Sequence, residues 1–226
     1  MRSKFLPFEI LFEDDELIVI DKPAGLLTTH TKVVGRAARE GQLTAENLLN
    51  DYVRKGQLKS KKRVWLVHRL DRETSGVMMF AKTEAFAERL RDGWNELTEK
   101  TYLARVAGIL DADEGVFESY LLEDRDGYRV RSVPQGGKLS RTAWRKLSTE
   151  DGTTLVEVKL KSGRKNQIRV HFSEAGHPVV GDEKYGGQAA SRLYLDSVCL
   201  SFRHPKLGKW LKIEHNSPLL DKTSDN

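Results

Sequence analysis

A single carboxylate, Asp71, lies inside a strongly cationic segment of this chain. Between residues 54 and 72 there are eight Lys or Arg residues, and Asp71 is the one acid. A carboxylate in such a field stays ionised, and it stands where a polyanion would be drawn. Because a carboxylate repels a polyanion, its presence there indicates a chemical role. The alternative is a loop aspartate that caps a turn or pairs with Arg69 or Arg72, and the local pattern slightly favours that alternative.

The other residues with reactive side chains do not form a recognisable metal site. The six His stand at positions 30, 68, 171, 177, 204 and 215, with neither a zinc-type spacing with Cys nor a His-Glu-x-x-His motif. A glycosidase would need a second carboxylate in a comparable setting, and the basic segments contain none. The sequence therefore predicts a site without a metal.

Composition and charge restrict the class of protein. The chain has 226 residues, 38% hydrophobic and 31% charged, with a net charge of +5. These values predict one soluble domain over residues 1–226 and favour an acidic partner such as nucleic acid. The single Cys199 excludes an intrachain disulfide and fits a reducing, cytoplasmic location. No segment has the length and apolarity that a membrane span requires.

Hydrophobic periodicity predicts short strands with three helices between them. A buried strand at 77–81 follows Asp71 directly. The segment 111–137 is predicted to be loop-rich with short strands at most, and a polar loop is predicted at 28–41. Strands are predicted at 10–12, 17–20, 100–109, 141–147, 155–160, 192–202 and 210–214, and helices at 45–53, 83–97 and 163–175.

Three motifs resemble those of the RluA family of RNA pseudouridine synthases. His-Arg-Leu-Asp-x-x-Thr-Ser-Gly at 68–76 resembles the family signature, and Lys-Thr-Tyr-Leu-Ala-Arg-Val at 100–106 resembles its second motif. Gly-Arg-x-x-Gln-Ile-Arg-x-His at 163–171, followed by Gly-His-Pro and Gly-Asp, resembles the third. An Asp-Lys-Pro-x-Gly turn at 21–25 is also similar. The resemblance covers residues 9 to 215, leaves 216–226 as a flexible tail, and is to small members without an N-terminal RNA-binding domain.

The resemblance implies the α+β pseudouridine synthase catalytic fold, with a mixed, largely antiparallel sheet flanked by helices and RNA-binding loops. It also implies isomerisation of uridine in structured rRNA or tRNA by a monomeric enzyme. The reaction breaks the bond from ribose to the base nitrogen, turns the base and rejoins it through carbon. Nothing is oxidised or hydrolysed, so no cofactor is expected.

The resemblance assigns the catalytic role to Asp71, which would attack the sugar, attack the base or remove a ribose proton. Arg169 would pair with Asp71, and Tyr102 would stack on uracil and help with proton removal from carbon. Arg69 would contact RNA beside the pocket. Phosphates would be held by Arg164 and the 54–63 segment, including Lys61, Lys62 and Arg63.

Two positions depart from the family pattern, since Asn166 and Asp196 stand where the family usually has His. The alternative function is a non-catalytic RNA-binding or ribosome-assembly protein on the same fold. Asp71 separates the two, because a pure binder has no reason to keep a carboxylate at the centre of an anion-attracting surface.

Overall fold

The computed structural model describes residues 6–30, 42–57, 59–204 and 206–220. Four helices and eleven strands make up the described chain. The helices are α1 (Ala45–Arg54), α2 (Glu84–Asp92), α3 (Trp94–Leu97) and α4 (Gln167–Glu174). The strands are β1 (Ile10–Glu13), β2 (Leu17–Lys22), β3 (Trp65–Leu66), β4 (Ser75–Ala81), β5 (Thr98–Ala107), β6 (Glu114–Glu123), β7 (Val130–Val133), β8 (Lys138–Glu150), β9 (Thr153–Leu160), β10 (Leu195–Arg203) and β11 (Trp210–Glu214).

All eleven strands belong to one sheet, with the order β1-β2-β4-β10-β5-β9-β8-β6-β7. Every pairing is antiparallel except the short one between β4 and β10, where Ser75 and Gly76 pair with Asp196 and Ser197. Beyond this junction the two strands diverge, so that β3 pairs with β4 and β11 pairs with β10. The predicted α+β class with a mixed, largely antiparallel sheet is confirmed.

Strand β4 is the centre of the packing, because all seven of its residues are buried. Met78 and Phe80 pack in a core cluster that includes residues of α1 and α4, whereas Val77 and Met79 pack in a second cluster with α2. Gly76 permits the junction with β10, since its φ is 103° and a Cβ there would lie 2.2 Å from the Ser197 carbonyl oxygen. The predicted buried strand after Asp71 is confirmed and begins two residues earlier.

The segment 111–137 differs from its prediction. It contains the ten-residue strand β6 and the short β7, and β6 pairs with β8 over eight residue pairs. Val116, Glu118 and Tyr120 share its exposed outer face, whereas Phe117 and Leu121 on the inner face pack against core residues. Because apolar residues occur on both faces, the sequence shows no clean alternation there. Pairing with β8 and the packing of this inner face together hold β6 in the sheet.

Two predicted helices have different limits in the structure. The segment 83–97 divides at Gly93 into α2 and α3, and the Thr83 hydroxyl donates to Glu16 instead of capping α2. The helix predicted from 163 begins at Gln167, so Arg164 and Lys165 lie in the loop before it. Gly176 follows α4 with a φ of 85°, as its predicted role at the helix end requires.

The C-terminal segment is ordered further than predicted. Ser217 and Leu219 are buried, because Ser217 donates to Asp196 and Leu219 packs with Leu103 and Leu155. Fraying therefore does not begin at 216, and residues 221–226 lie outside the described residues. Most of the predicted loop at 28–41 also lies outside them. Within the described ranges, no helix has both the length and the apolarity needed to cross a membrane.

Candidate active site

The loop from 67 to 74, between β3 and β4, presents Asp71 to a pocket of about 250 Å³. Strand β5 contributes Tyr102 to the pocket, and the segment leading into α4 contributes Arg164 and Asn166. The first turn of α4 adds Arg169. Three segments that are far apart in the sequence therefore meet here, over the central strands of the sheet.

A buried lysine holds the Asp71 loop against the turn that follows β2. Lys22 is fully buried, and its Nζ donates to the carbonyls of Pro23, Leu26 and Arg72. The backbone N–H of Gly25 also donates to the Arg72 carbonyl, at 2.8 Å. Burial lowers the pKa of Lys22 to about 8, although Asp71 opposes the shift. The turn at 21–25 thus fixes the residue next to Asp71.

The Asp71 carboxylate is held through one of its two oxygens. The side-chain amide of Asn166 donates to Asp71 Oδ2 at 2.5 Å, and Arg169 Nη1 lies 3.6 Å from the same oxygen. Among the described residues, Oδ1 has no hydrogen-bond partner. The side chain keeps 19% of its surface accessible, so it faces the pocket while being fixed from behind.

The expected pairing of Arg169 with Asp71 is only partly present. Arg169 donates to Asp182 from Nε and Nη2, both at 2.7 Å, while Nη1 lies 3.4 Å from Glu73. Burial alone lowers the pKa of Arg169, but the hydrogen bonds and charge of Asp182, with the charges of Asp71 and Glu73, raise it overall. Arg169 is therefore a permanent cation whose geometric partner is Asp182.

Tyr102 lies on the face of β5 that lines the pocket. It is 8% exposed, and burial followed by the charge of Asp71 raises the pKa of its phenol. The hydroxyl is accordingly protonated at physiological pH, and the ring is available to contact a base that enters the pocket.

The predicted RNA-binding residues fall into two groups. Arg69 and Arg164 are exposed and line the pocket beside Asp71. Lys61, Lys62 and Arg63 are also exposed, but they precede β3 and none of them lines the pocket. The Arg63 guanidinium lies over the ring of Trp65, 5.4 Å from its centroid.

The histidine of the first motif is a structural residue. His68 Nε2 accepts a hydrogen bond from the Met79 N–H at 2.9 Å, and its ring stacks on Trp94. Burial, with a smaller contribution from Lys100, lowers the pKa of His68 to about 3, so the ring is neutral. Across the described ranges, no group of three or more His, Cys, Asp or Glu side chains could hold a metal.

Sequence reasoning assigned no role to several residues that shape the site. Lys22 and Asp182 lie in segments noted for their resemblance, and Asn166 was noted as a departure. The motifs indicated that these positions matter, but they did not indicate which residues the side chains contact. Asp196, the second departure, is fully buried, where it accepts hydrogen bonds from Ser75, Ser217 and Arg192. It joins the end of the Asp71 loop to the C-terminal segment.

Comparison with known proteins gives a consistent result. A family model described as RNA pseudouridylate synthase matches residues 16–174. A dual-specificity RNA pseudouridine synthase RluA of Vibrio vulnificus is 37% identical over 215 residues, which cover 90% of this chain and 80% of that protein. A ribosomal large subunit pseudouridine synthase D of Nitrosomonas europaea is 37% identical over 232 residues, covering 97% of this chain and 64% of that one.

A solved structure supports the same fold. Human RNA Pseudouridylate Synthase Domain Containing 4 has a TM-score of 0.74 at 24% identity, covering 92% of this chain and 88% of that one. The predicted resemblance to RluA-type pseudouridine synthases is confirmed.

Proposed function

This chain belongs to the RNA pseudouridylate synthase family and isomerises uridine to pseudouridine in RNA, and we propose that Asp71 is the group that acts on the nucleotide. The observation that carries the assignment is the open Oδ1 of a carboxylate that is fixed through Oδ2. Such a group is oriented before the substrate arrives, and its residue lines the pocket.

The remaining pocket residues have roles that follow from the reaction. The target base must leave its stack and remain in the pocket after the glycosidic bond breaks. Tyr102 would form one wall for the uracil ring, with a neutral hydroxyl near carbon 5. Arg69, exposed at the rim, would contact RNA where the base has left. Arg169, through Asp182 and its proximity to Asp71, would keep the site cationic around the aspartate.

The cationic surface supports a structured RNA substrate, and we propose a stem-loop of rRNA or tRNA. Arg164 would contact phosphate at the pocket, and Lys61, Lys62 and Arg63 would extend the contact along the backbone. The relatives from Vibrio vulnificus and Nitrosomonas europaea, named as dual-specificity and ribosomal enzymes, support this choice. We also propose that the enzyme acts as a monomer in the cytoplasm, as one domain and without a cofactor or metal.

The decisive experiment is Asp71→Asn, measured by tritium release from RNA that carries uridine labelled at carbon 5. Asn is nearly isosteric with Asp, so the melting temperature should change little. Removing a negative charge from a cationic surface should leave RNA affinity equal or higher. Turnover should fall below detection.

The matched control is Asp111→Asn, because Asp111 is exposed and does not line the pocket. The control should keep full activity. Tritium release by a well-folded Asp71→Asn enzyme would remove Asp71 from the mechanism.

Comparison of total RNA from cells with and without the gene, mapped for pseudouridine, identifies the target. Activity should also survive exhaustive chelation with EDTA on a substrate that folds without Mg²⁺.

A further inference from the structure

We propose that Asn166 is the positioning residue of the catalytic carboxylate and that it leaves Asp71 Oδ1 as the reactive oxygen. The inference rests on the proposed role of Asp71. The amide Nδ2 lies 2.5 Å from Asp71 Oδ2, whereas the nearest Arg169 nitrogen is 3.6 Å away. Within the described chain, Asn166 is thus the one side chain within hydrogen-bond distance of this carboxylate.

The orientation of the amide is set by its other contacts. Asn166 Oδ1 accepts from Lys184 Nζ at 3.0 Å and from the Tyr185 hydroxyl at 3.2 Å. A lysine ammonium can only donate, so the amide oxygen must face Lys184. The NH₂ group then points to Asp71, and the amide cannot be reversed without placing two donors against each other.

The loop that carries Lys184 and Tyr185 is itself tied to the site. The carboxylate of Asp182 binds Arg169 and also accepts from the backbone N–H groups of Lys184 and Tyr185, each at 3.1 Å. The contacts therefore run from Arg169 through Asp182 and this loop to Asn166, and then to Asp71. Arg169 is thus linked to the aspartate in two ways, directly at 3.6 Å and through this chain of contacts.

The backbone at Asn166 also suits this role. The residue precedes α4 with a φ of 52° and is 6% exposed. Asn tolerates this left-handed conformation better than most residues, and Gly tolerates it without strain. Asn166→Gly therefore removes the side chain without backbone strain, while Asn166→Asp keeps its shape.

These two variants separate positioning from packing. Asp at 166 can still accept from Lys184 and Tyr185, but it presents an acceptor to Asp71 in place of a donor. Positioning predicts that Asn166→Asp slows single-turnover tritium release about 100-fold and Asn166→Gly about 10-fold. Packing predicts the reverse order, because Gly loses the contacts to Lys184 and Tyr185 that Asp keeps. RNA affinity and melting temperature are measured on both.

A pH profile gives a readout that packing would not change. Two carboxylates at this distance cannot both ionise freely, so the pair in Asn166→Asp holds a shared proton that is lost as pH rises. The tritium-release rate of Asn166→Asp should therefore increase between pH 5.5 and 7.5. The wild type and Asn166→Gly should share one dependence of rate on pH. The charged and titratable groups around this pair are all retained in both variants: Lys22, Arg69, Glu73, Tyr102, Glu123, Arg164, Lys165, Arg169, Asp182, Lys184 and Tyr185.

The outcomes distinguish this inference from the proposed function. An active Asp71→Asn enzyme overturns the role of Asp71 and the inference with it. If Asp71→Asn is inactive but Asn166→Asp matches the wild-type rate and pH profile, only the positioning role is lost. The positioning role is also rejected if Asn166→Gly is slower than Asn166→Asp and the two variants have the same pH profile.

Discussion

The guanidinium of Arg169 donates two hydrogen bonds of 2.7 Å to Asp182, while its nearest nitrogen lies 3.6 Å from Asp71. The ion pair with the shortest contacts in the site, between Arg169 and Asp182, therefore does not include the proposed catalytic residue Asp71. Asp182 is 1% exposed and Arg169 is 4% exposed, so neither charge is screened by water. Loss of Asp182 leaves the buried Arg169 guanidinium with the more distant carboxylates of Asp71 and Glu73, and loss of Arg169 leaves the Asp182 carboxylate buried without its ion-pair partner.

Asp182→Ala should lower the free energy of unfolding by about 3–5 kcal/mol, because it leaves the Arg169 guanidinium buried with weaker partners. Urea denaturation followed by circular dichroism measures the change. Glu183→Ala is the matched control, since Glu183 is exposed and adjacent. A loss below about 1 kcal/mol would mean that Asp71 and Glu73 satisfy Arg169 without Asp182.

Lys22→Met should alter the pH dependence of stability. Burial lowers the pKa of Lys22 to about 8 in the fold, below its ordinary value of 10.5, so the unfolded chain binds more protons between these values. The contribution of Lys22 to stability therefore rises with pH across this window. Urea denaturation of both proteins from pH 7.5 to 10 measures it. The stability of the wild type relative to Lys22→Met should increase with pH, and a constant or falling difference contradicts the shifted pKa.

Tyr102→Phe tests the phenol separately from the ring. The hydroxyl is neutral because burial and Asp71 raise its pKa, so the ring would supply contact area and the oxygen a polar atom for the proposed proton transfer. We expect tritium release to slow by about 100-fold, within the range for a proton-transfer group. RNA affinity should be unchanged, while Tyr102→Ala should weaken it as well. Wild-type kinetics in Tyr102→Phe would limit Tyr102 to stacking.

RNA binding should weaken steeply as salt rises, because phosphate contacts release bound cations. Arg164→Gln should reduce the slope of log affinity against log salt by about 1, and the Lys61/Lys62/Arg63→Gln triple variant by more. Fluorescence anisotropy on a labelled stem-loop measures these slopes. Lys209→Gln, an exposed change in the turn before β11, should leave the slope as it is. An affinity that does not vary with salt contradicts an electrostatic RNA surface.

Local pattern was sufficient for the elements that bury an apolar face. Strand β4 could be predicted because its residues are apolar on both faces, and β9 because Val156 and Val158 alternate with polar neighbours. Strand β6 could not be, since apolar residues lie on its exposed face as well as on the face that packs inward, so no clean alternation results. The division at Gly93 and the late start of α4 likewise depend on neighbouring segments.

The sequence by itself determined which residues are candidates for chemistry: a lone acid in a basic segment, and motifs that resemble those of one family and contain Asp71, Tyr102 and Arg169. Only the tertiary structure decided which groups touch that acid. Asn166, 95 positions away, donates a hydrogen bond to Asp71. Arg169 donates its two shortest hydrogen bonds to the buried carboxylate of Asp182. Residue types indicate charge and reactivity. Hydrogen bonds, however, require angles and distances within fractions of an ångström, and only the packed chain defines these.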